Sequence, residues 1–511
     1  MRTVREEFFD VCRRAGMTTW FGNPGSTELR MLRDWPADFR YVLALQESSA
    51  VGAAAGYAIG TGRAALVSLH SAGGVGHALG AVFNAYRDRV PLVLVAGQQT
   101  RAMLPTRPFL SADEPATFPR PYVKWSHQPE HPAAVAGALA EAHRIAMLPP
   151  RGPVFLSVPE DDWDAPSDPV PPREVHAGFV ADPAALRLIA DALDGARAPA
   201  IVAGPGVDED DAWAETVALA EATRAAVWAA PMPSRAGFPE DHPLFRGYLP
   251  PVRSTIAGLL GGHDVVLVLG APVFTYHVHT EGPVVAEGTR LFHLDCDPAA
   301  AARAAVGVSV LSTVRAGVAE LSRLVKPSGR ADPPARERSG APSPVLAALR
   351  RALPPGAVLV EEAPSHKDAL HEEIAITRPG GYVSTGSGAL GWGLPVAVGR
   401  ALAGERVVAV LGDGSTLYSV QALWTAARHR VPLTVVVLNN RRYEAVAALG
   451  RRIGVAPVPG TDLPELDFVA LAHGFGLPAE RIGPDDLPAA LAREGPLLLD
   501  VPVPTGDVTL Y

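Results

Sequence analysis

This 511-residue chain has few residues of several kinds, and each shortage excludes a class of protein. Its two cysteines, Cys12 and Cys296, lie too far apart in sequence to suggest a redox motif or a zinc site, so a reducing cytoplasm is the expected location. No run of about 18 apolar residues occurs, and we expect no membrane-spanning helix. The N-terminal segment carries charges where an apolar core would stand, so no signal peptide is expected.

Lysine and clustered positive charge are also scarce. Three lysines occur, Lys124, Lys326 and Lys367, and none lies in a stretch that predicts the buried pocket of a Schiff-base lysine. The 45 basic and 54 acidic residues give a net charge of −9 without a basic block, which argues against a nucleic acid partner. The hydrophobic fraction of 48%, with 49 Gly and 50 Pro, is typical of an α/β enzyme with short loops.

Strand and helix patterns alternate along the chain in three blocks. Apolar runs bounded by Gly- and Pro-rich turns predict strands in each block, and the length is too great for one core. We therefore predict three α/β domains, each a doubly wound, mostly parallel sheet between helices, at residues 1–165, 180–325 and 345–511. Segments 164–172 and 326–344 are the predicted linkers. The two outer blocks are alike in the order of their elements.

The most informative motif lies in the third block. A strand predicted at 406–411 is followed directly by Gly-Asp-Gly-Ser at 412–415. A helix is predicted at 416–430, and the next predicted strand, 432–438, is followed by Asn439-Asn440. The polar residues therefore follow two strands of one βαβ unit.

Two side chains of this motif suit a metal ion. Asp413 and Asn440 are 27 positions apart and should lie at the carboxyl ends of neighbouring strands, where open α/β sheets bind ligands. Carboxylate and carboxamide oxygens suit Mg²⁺, which often holds a phosphate. The backbone amides of Gly414 and Ser415, at the start of the next helix, should point at that phosphate. The motif predicts a metal–diphosphate site.

A nicotinamide enzyme is the main alternative that the glycines suggest. The run Gly386 to Gly391 fits the dinucleotide pattern G-x-G-x-x-G, and Asp413 follows it at nearly the right spacing. However, residues 381–385 are a poor buried strand, Asp413 begins a phosphate-type loop, and Asn439-Asn440 would stay unexplained. In the middle block, Gly204-Pro-Gly206 forms no convincing phosphate loop either.

Several other residues have both a structural and a functional interpretation. Glu47 either complements a helix dipole or is a carboxylate buried against a heterocycle. Ser26 lies in a turn between a strand and a helix, where it either caps that helix or acts in catalysis. His70 ends a strand before a glycine-rich loop, where a titratable side chain is either structural or functional. His277 and His279 could ligate a metal, but no third ligand is near in sequence.

Taken together, these residues resemble the thiamin-diphosphate-dependent decarboxylase family, and within it the benzoylformate decarboxylases. The resemblance implies pyrimidine-binding, central and diphosphate-binding domains in that order. It covers all three blocks and is carried by these runs: Phe21–Ser26, Leu45–Glu47, Leu69–Ser71, Gly97–Met103, Asp161–Trp163, Gly262–Val268, Gly270–Phe274, Ala422–Ala427 and Asn439–Asn440.

The resemblance implies catalytic roles in the first two domains. Glu47 would hydrogen-bond N1′ of the cofactor's aminopyrimidine and so favour activation of the thiazolium ring. Ser26 would bind the substrate carboxylate. His70 and His277 would be the acid/base groups, because the proton transfers need groups with pKa values near neutrality. His279 would replace His277 if the loop register differs.

The resemblance also implies how the cofactor and substrate are held. Leu390 would bend the cofactor, and Mg²⁺ would be bound by Asp413, Asn440 and the backbone carbonyl of Arg442. The other implied contacts are Ser365, Gly388, Gly414, Ser415, Asn440 and Tyr443 to the cofactor, and Ser26, Phe109, Leu110, Val446 and Leu449 around the substrate.

The implied reaction is decarboxylation of an aromatic or bulky 2-ketoacid to an aldehyde and CO₂, with thiamin diphosphate and Mg²⁺. The runner-up is a carboligase resembling acetohydroxyacid synthase. A subunit without activity is disfavoured, because Glu47 and the metal ligands are present. The family implies a homo-oligomer, at least a dimer and by resemblance a homotetramer.

The chain also departs from the benzoylformate pattern. Pro364 replaces a hydroxyl residue, and Glu361-Glu362 replaces Asn-Glu. Val446 and Leu449 stand where larger groups shape the aryl pocket. These departures predict a wider pocket.

Overall fold

A computed structural model describes residues 2–336 and 343–505 of the chain. Three six-stranded sheets follow one another in sequence, with helices between their strands. The described pairings within the sheets are parallel. This confirms the predicted fold class. The predicted domain boundaries stay predictions, and part of the second predicted linker, at 337–342, lies outside the described residues.

The first sheet packs against a core that contains several aromatic side chains. In this core the ring of Phe8 lies 5.8 Å from that of Trp20 and 5.0 Å from that of Trp163. Its elements, in chain order, are α1 Val4–Arg14, β1 Thr19–Gly22, α2 Leu29–Leu32, β2 Arg40–Leu43, α3 Glu47–Thr61, β3 Ala65–Leu69, α4 Ser71–Arg87, β4 Leu92–Gln98, β5 Ser126–His127, α5 Val135–Met147 and β6 Val154–Pro159. The strand order is β2-β1-β3-β4-β6-β5.

The second sheet packs on a core of aliphatic side chains that includes Val202, Ile256 and Val268. Its elements are α6 Pro183–Gly195, β7 Pro199–Ala203, α7 Pro205–Glu209, α8 Trp213–Thr223, β8 Ala226–Ala229, β9 Phe245–Tyr248, α9 Arg253–Leu259, β10 Val265–Leu269, β11 Arg290–Asp295, α10 Pro298–Arg303, β12 Val308–Leu311 and α11 Val314–Leu324. The strand order is β12-β11-β10-β7-β8-β9.

The order of this second sheet reverses between β7 and β10, a position where doubly wound sheets often bind nucleotides. Here the chain itself uses the backbone groups at that point. The amides of Gly204 and Gly206 donate to the carbonyls of Leu269 and Gly270, at 2.8 and 2.9 Å. These two amides are therefore engaged within the chain, which agrees with the expectation that 204–206 forms no phosphate loop.

The third sheet repeats the topology of the first. Its elements are α12 Pro344–Ala352, β13 Val358–Glu362, α13 Lys367–Glu373, β14 Tyr382–Val383, α14 Gly393–Leu402, β15 Val407–Gly412, α15 Asp413–Leu417, α16 Ala422–His429, β16 Leu433–Asn439, α17 Glu444–Arg452, α18 Phe468–Gly474, β17 Ala479–Arg481, α19 Leu487–Leu491 and β18 Leu497–Pro502. The strand order β14-β13-β15-β16-β18-β17 matches that of the first sheet when strands are counted within each sheet.

Short 3₁₀ turns complete the described elements, at Ser26–Glu28, Leu104–Thr106, Pro132–Ala134, Glu160–Asp164 and Pro484–Asp486. Within the described residues, none of the helices has the length and apolar character needed to cross a membrane.

The predicted strands of the metal motif are confirmed to within one residue, but the single helix predicted at 416–430 is wrong. Two helices, α15 and α16, occupy that stretch. The hydroxyl of Thr416 donates to the carbonyl of Gly412 at 2.8 Å. Hydroxyl and β-branched residues such as Thr416, Ser419 and Val420 weaken a continuous helix, because they compete for its backbone groups or lose side-chain freedom.

The chain divides into two compact units. Of the described residues, one unit contains 2–176, Arg351–Ser365 and 385–505, and the other contains 177–336, 343–350 and His366–Ser384. In the second unit, His371 contacts the carboxylate of Glu240 at 3.2 Å, and its ring lies 4.2 Å from that of Tyr248. This buried contact joins segment 366–384 to the elements around the second sheet.

In the first unit, α3 and α14 approach closely because glycines face the partner helix. A Cβ on Gly56 would lie 2.0 Å from the carbonyl oxygen of Val396, and one on Gly399 would lie 1.9 Å from that of Ala53. No side chain fits at either position unless the helices separate.

We expect Gly56→Ala and Gly399→Ala each to destabilise the protein by about 1–3 kcal/mol, because the new methyl overlaps backbone atoms of the other helix. Gly80→Ala on α4 is the matched control, since a Cβ there meets no atom within 4 Å. It should leave the melting temperature unchanged or raise it. Equal melting temperatures for all three variants would contradict the close helix contact.

Candidate active site

The edge of the third sheet brings three strand ends together. The register pairs Glu362 with Leu411 and Gly412 with Leu438, so β13, β15 and β16 end side by side. The strand order reverses between β13 and β15, which creates a crevice at their carboxyl ends.

Asp413 and Asn440 converge at this edge, as the motif predicted. The backbone N–H of Arg442 lies 3.2 Å from Asp413 Oδ2 and 2.9 Å from Asn440 Oδ1. Both oxygens are thus within hydrogen-bond distance of one nitrogen. Burial raises the pKa of Asp413, although N–H groups including that of Gly414 act in the opposite direction. A cation beside this carboxyl would favour its ionised form.

The side chains at this position offer a carboxylate and a carboxamide oxygen, and these fit a hard divalent cation that prefers oxygen. Among the described residues, no group of three or more His, Cys, Asp or Glu side chains is placed to hold a metal ion.

The two asparagines of the motif have different tasks. Asn439 Nδ2 donates to Asp500 Oδ1 at 2.8 Å, and Asn439 Oδ1 accepts the N–H of Arg441 at 3.2 Å. The other oxygen of Asp500, which is fully buried, accepts from Arg481 Nε at 2.8 Å. Asn439 therefore joins the loop after β16 to the neighbouring strand β18, while Asn440 faces Asp413 across Arg442.

The ring of Tyr443 leaves no room for a side chain at position 414, so glycine is required there. A Cβ on Gly414 would lie 2.3 Å from Tyr443 Cε1. The N–H of Gly414 donates to Asp413 Oδ1 at 2.7 Å, so in this structure that predicted phosphate donor binds the carboxylate. Ser415 is buried in the first turn of α15, and Ser365 is partly buried after β13.

Leu390 lies in a loop whose path depends on two glycines with positive φ. Gly388 has φ +79° and Gly391 has φ +89°. A Cβ on Gly391 would lie 2.7 Å from Tyr418 Cβ. These left-handed conformations favour glycine and place Leu390, which is partly buried, between them.

The α4 helix of the same chain fixes this loop through residues that sequence reasoning missed. Asn84 Nδ2 donates to the carbonyl of Ala389 at 3.0 Å, and the hydroxyl of Ser387 donates to Asn84 Oδ1. Asp88 Oδ1 accepts the N–H of Gly386 at 3.0 Å. The available signal was a polar pair four positions apart on a helix of small apolar residues.

Glu362 holds the other end of the loop. Its Oε1 accepts the N–H of Trp392 at 3.0 Å, and the amides of Gly391 and Gly393 also bond to its carboxyl group. Burial raises the pKa of Glu362 to about 8 in spite of these donors. The sequence identified Glu362 only as part of a departure from the family pattern.

Ser26 and His70 lie at the matching edge of the first sheet, after β1 and β3, where its strand order also reverses. His70 Nδ1 lies 3.0 Å from Glu28 Oε2 and 3.1 Å from Thr27 Oγ1. Ser26 is exposed, and Gly25 is the residue that caps the turn. Glu28 is buried and orients His70, a role that its sequence position as a first-turn acid did not reveal.

Glu47 begins α3 and is only 7% exposed. Its Oε2 lies 3.2 Å from His77 Nδ1 on α4. Among the described residues, no hydrogen bond or ion pair joins Glu47 or His70 to Asp413 or Asn440. The predicted catalytic and metal-binding residues thus form two separate groups within the chain.

The predicted pocket residues are largely exposed. Phe109 is 86% and Val446 is 52% exposed, while Leu110 and Leu449 are partly buried. Leu110 has φ +64°, and its carbonyl accepts the hydroxyl of Ser71.

His277 lies in the second unit, as an exposed residue whose N–H donates to the carbonyl of Pro251 at 2.8 Å. His279 is also exposed and lies 3.1 Å from Glu281. The catalytic role of His277 stays a prediction.

Comparison with known proteins identifies the family. Three domain models of the thiamine pyrophosphate enzymes match the chain. The N-terminal TPP binding domain matches residues 2–116, the central domain matches residues 186–321, and the C-terminal TPP binding domain matches residues 364–501. The chain belongs to the thiamine pyrophosphate enzyme family. The two groups of site residues described above fall in its two TPP binding domains.

Three relatives show which members of the family this chain is similar to. A benzoylformate decarboxylase of Pseudomonas aeruginosa is 40% identical, with 99% of each chain covered. The solved structure of a thiamine diphosphate-dependent 4-hydroxybenzoylformate decarboxylase from Rhodococcus jostii RHA1 has a TM-score of 0.95 at 39% identity, covering 99% of this chain and 100% of the other. An acetolactate synthase of Arthrospira platensis is 27% identical over 98% of this chain and 94% of the relative.

Asn439→Ala should lower the melting temperature of the metal-free protein, since it removes a donor to the buried carboxylate of Asp500, a loss of about 1–3 kcal/mol. Asn440→Ala is the matched control, because it should change that melting temperature much less while abolishing metal-dependent stabilisation. Equal destabilisation by both changes would contradict the separate tasks of the two asparagines.

Glu362 should make stability depend on pH. Its pKa of about 8 lies above the ordinary 4.5, so the folded protein retains a proton that the unfolded chain releases. The resulting stability is complete below about pH 4.5 and is lost as pH rises to 8, on the order of 3 kcal/mol. Thermal melts at pH 5 and 8 should show a decrease in melting temperature that Glu362→Gln largely lacks. A parallel decrease in both proteins would exclude Glu362 as its source.

Proposed function

We propose that this chain is a decarboxylase that uses thiamin diphosphate and Mg²⁺ to convert an aromatic or bulky 2-ketoacid into an aldehyde and CO₂. The observation that carries the proposal is the convergence of Asp413 and Asn440 on one backbone N–H at the crevice of a TPP binding domain. When bound, thiamin diphosphate supplies a carbon nucleophile and an electron sink for the electrons left as CO₂ departs.

The third-sheet residues would hold the cofactor's charged end. Asp413, Asn440 and the carbonyl of Arg442 would bind Mg²⁺, because carboxylate, carboxamide and carbonyl oxygens suit that ion. Leu390 would support the middle of the cofactor from its glycine-bounded loop. Residues that would line the diphosphate and the adjoining cofactor surface are Ser365, Gly388, Gly414, Ser415 and Tyr443.

The residues at the edge of the first sheet would transfer protons and bind the substrate. Glu47 would hold a proton at N1′ of the aminopyrimidine. Because Glu28 and Thr27 engage His70 at Nδ1, Nε2 is the atom of His70 available for proton transfer to or from the substrate. Ser26, exposed at the same edge, would bind the substrate carboxylate, and His277 would be the second acid/base group.

The substrate class follows from the relatives together with the pocket residues. Two of the relatives are named for their action on benzoylformate and 4-hydroxybenzoylformate. Val446 and Leu449 are smaller than the groups expected there, so the pocket should accept a substituted or larger aryl 2-ketoacid. Phe109 and Leu110 would supply the remaining apolar wall.

An acyloin-forming carboligase remains the second candidate, since an acetolactate synthase is also a relative. Its identity of 27% is well below the 40% of the benzoylformate decarboxylase, which favours decarboxylation. Product analysis with benzoylformate and an aldehyde acceptor separates the two: free aldehyde supports the first, and C–C bonded product alone supports the second.

We infer that the working form is a homo-oligomer, a dimer at least and by family a tetramer. The exposed apolar side chains of Phe109, Tyr418 and Val446 would be available for contact with a partner chain in such an assembly. We place it in the cytoplasm, with a small 2-ketoacid as its substrate and neither nucleic acid nor membrane as a partner.

The decisive test is CO₂ release from a panel of aryl and alkyl 2-ketoacids by protein loaded with thiamin diphosphate and Mg²⁺. Glu47→Gln should lower kcat by about 100-fold or more, because it removes a proton-transfer group. Glu141→Gln, an exposed carboxylate on α5, is the matched control and should keep full activity. Unchanged turnover in the Glu47 variant, or no CO₂ from any substrate, would refute the proposal.

A further inference from the structure

His77 is the one group outside the predicted site residues that contacts Glu47 through a side-chain hydrogen bond among the described residues. Its Nδ1 lies 3.2 Å from Glu47 Oε2. The side chain of His77 is 68% exposed, whereas that of Glu47 is 10% exposed. A largely solvated ring thus reaches a largely buried carboxylate.

The carboxylate is confined on its other side by the same helix. A Cβ on Gly74, one turn before His77 on α4, would lie 3.3 Å from Glu47 Cγ and 3.4 Å from Oε1. Glycine at this position therefore leaves room for Glu47 with little to spare. The α4 helix contacts Glu47 twice, by backbone packing at Gly74 and by the imidazole at His77.

This arrangement gives the two oxygens of Glu47 different surroundings. The ring of His77 engages Oε2, whereas Oε1 lies against Gly74 and receives no side-chain hydrogen bond from the part of the chain that the structure describes. A carboxylate with two rotatable bonds beyond its Cβ loses orientation unless a partner fixes it. A group that binds one oxygen determines where the other points.

We propose that His77 is a positioning residue for Glu47, holding Oε2 so that Oε1 is presented to the pyrimidine nitrogen of the cofactor. This inference rests on the proposed function, because it gives Glu47 the role assigned above. The imidazole donates from Nδ1 to Oε2 both when Glu47 is ionised and when it carries a proton on Oε1, because Oε2 accepts in both states.

A structural role for His77 predicts something different. Because most of its ring is exposed, the folded protein gains little from burying it, and truncation should cost little stability. Loss of orientation at Glu47 should instead slow the step that Glu47 assists. Rate and stability therefore separate the two interpretations.

The test compares His77→Ala, His77→Asn, Glu47→Gln and the double variant His77→Ala/Glu47→Gln, with His473→Ala as the control at an exposed histidine on α18. Three quantities are measured: the melting temperature of the cofactor-free protein, the rate of hydrogen–deuterium exchange at C2 of bound thiamin diphosphate, and kcat with KM for an aryl 2-ketoacid.

For His77→Ala we expect kcat and the C2 exchange rate to fall together by about 10-fold to 100-fold, with KM and the cofactor-free melting temperature little changed. His77→Asn should recover most of the rate, since its amide can still donate to Oε2. The double variant should be no slower than Glu47→Gln alone, and His473→Ala should match the unaltered protein.

An exchange rate unchanged in His77→Ala, or a double variant slower by the product of the single effects, would overturn the inference. A decrease in the cofactor-free melting temperature that accounts for the loss would also overturn it. If Glu47→Gln keeps the normal C2 exchange rate, the proposed function itself is contradicted. If Glu47→Gln slows the exchange and His77→Ala does not, only the role of His77 is contradicted, so the two outcomes are distinguishable.

Discussion

The whole candidate site depends on the register of parallel strands. Because β13, β15 and β16 run parallel and end at the same level, the polar residues that follow them meet at one edge. Asp413 and Asn440 are far apart in sequence, yet they share one N–H. A shift of the register between β15 and β16 would separate them.

Buried hydrogen bonds then turn these strand ends into a defined geometry. Asn439 ties the metal loop to Asp500, Glu362 ties the turn after Leu390 to β13, and Asn84 ties the start of that loop to α4. Each pairs a side chain with backbone or with another buried side chain, because an unpaired polar group there would cost stability. The loops of the site are thus positioned by residues that need not touch a ligand.

The α4 helix links the two groups of site residues within one chain. Near its first turns, Gly74 and His77 contact Glu47, and near its end Asn84 and Asp88 hold the loop that carries Leu390. One rigid element therefore fixes both the carboxylate proposed to act on the pyrimidine ring and the loop proposed to support the cofactor's centre. These two contacts are consistent with the composition of α4, which consists mainly of small residues and has a few polar ones.

The sequence by itself determined the α/β class with three sheets, the two strands around the Gly-Asp-Gly…Asn-Asn motif and the approach of Asp413 to Asn440, because apolar runs and the spacing of that motif are local patterns with a direct structural meaning. It failed where distant segments meet. The break between α15 and α16, the support of His70 by Glu28, and the contact of His77 with Glu47 depend on packing and on side-chain reach that no periodicity encodes. Only the tertiary structure decided those, since a hydrogen bond requires two groups within about 3 Å and sequence separation carries no such distance.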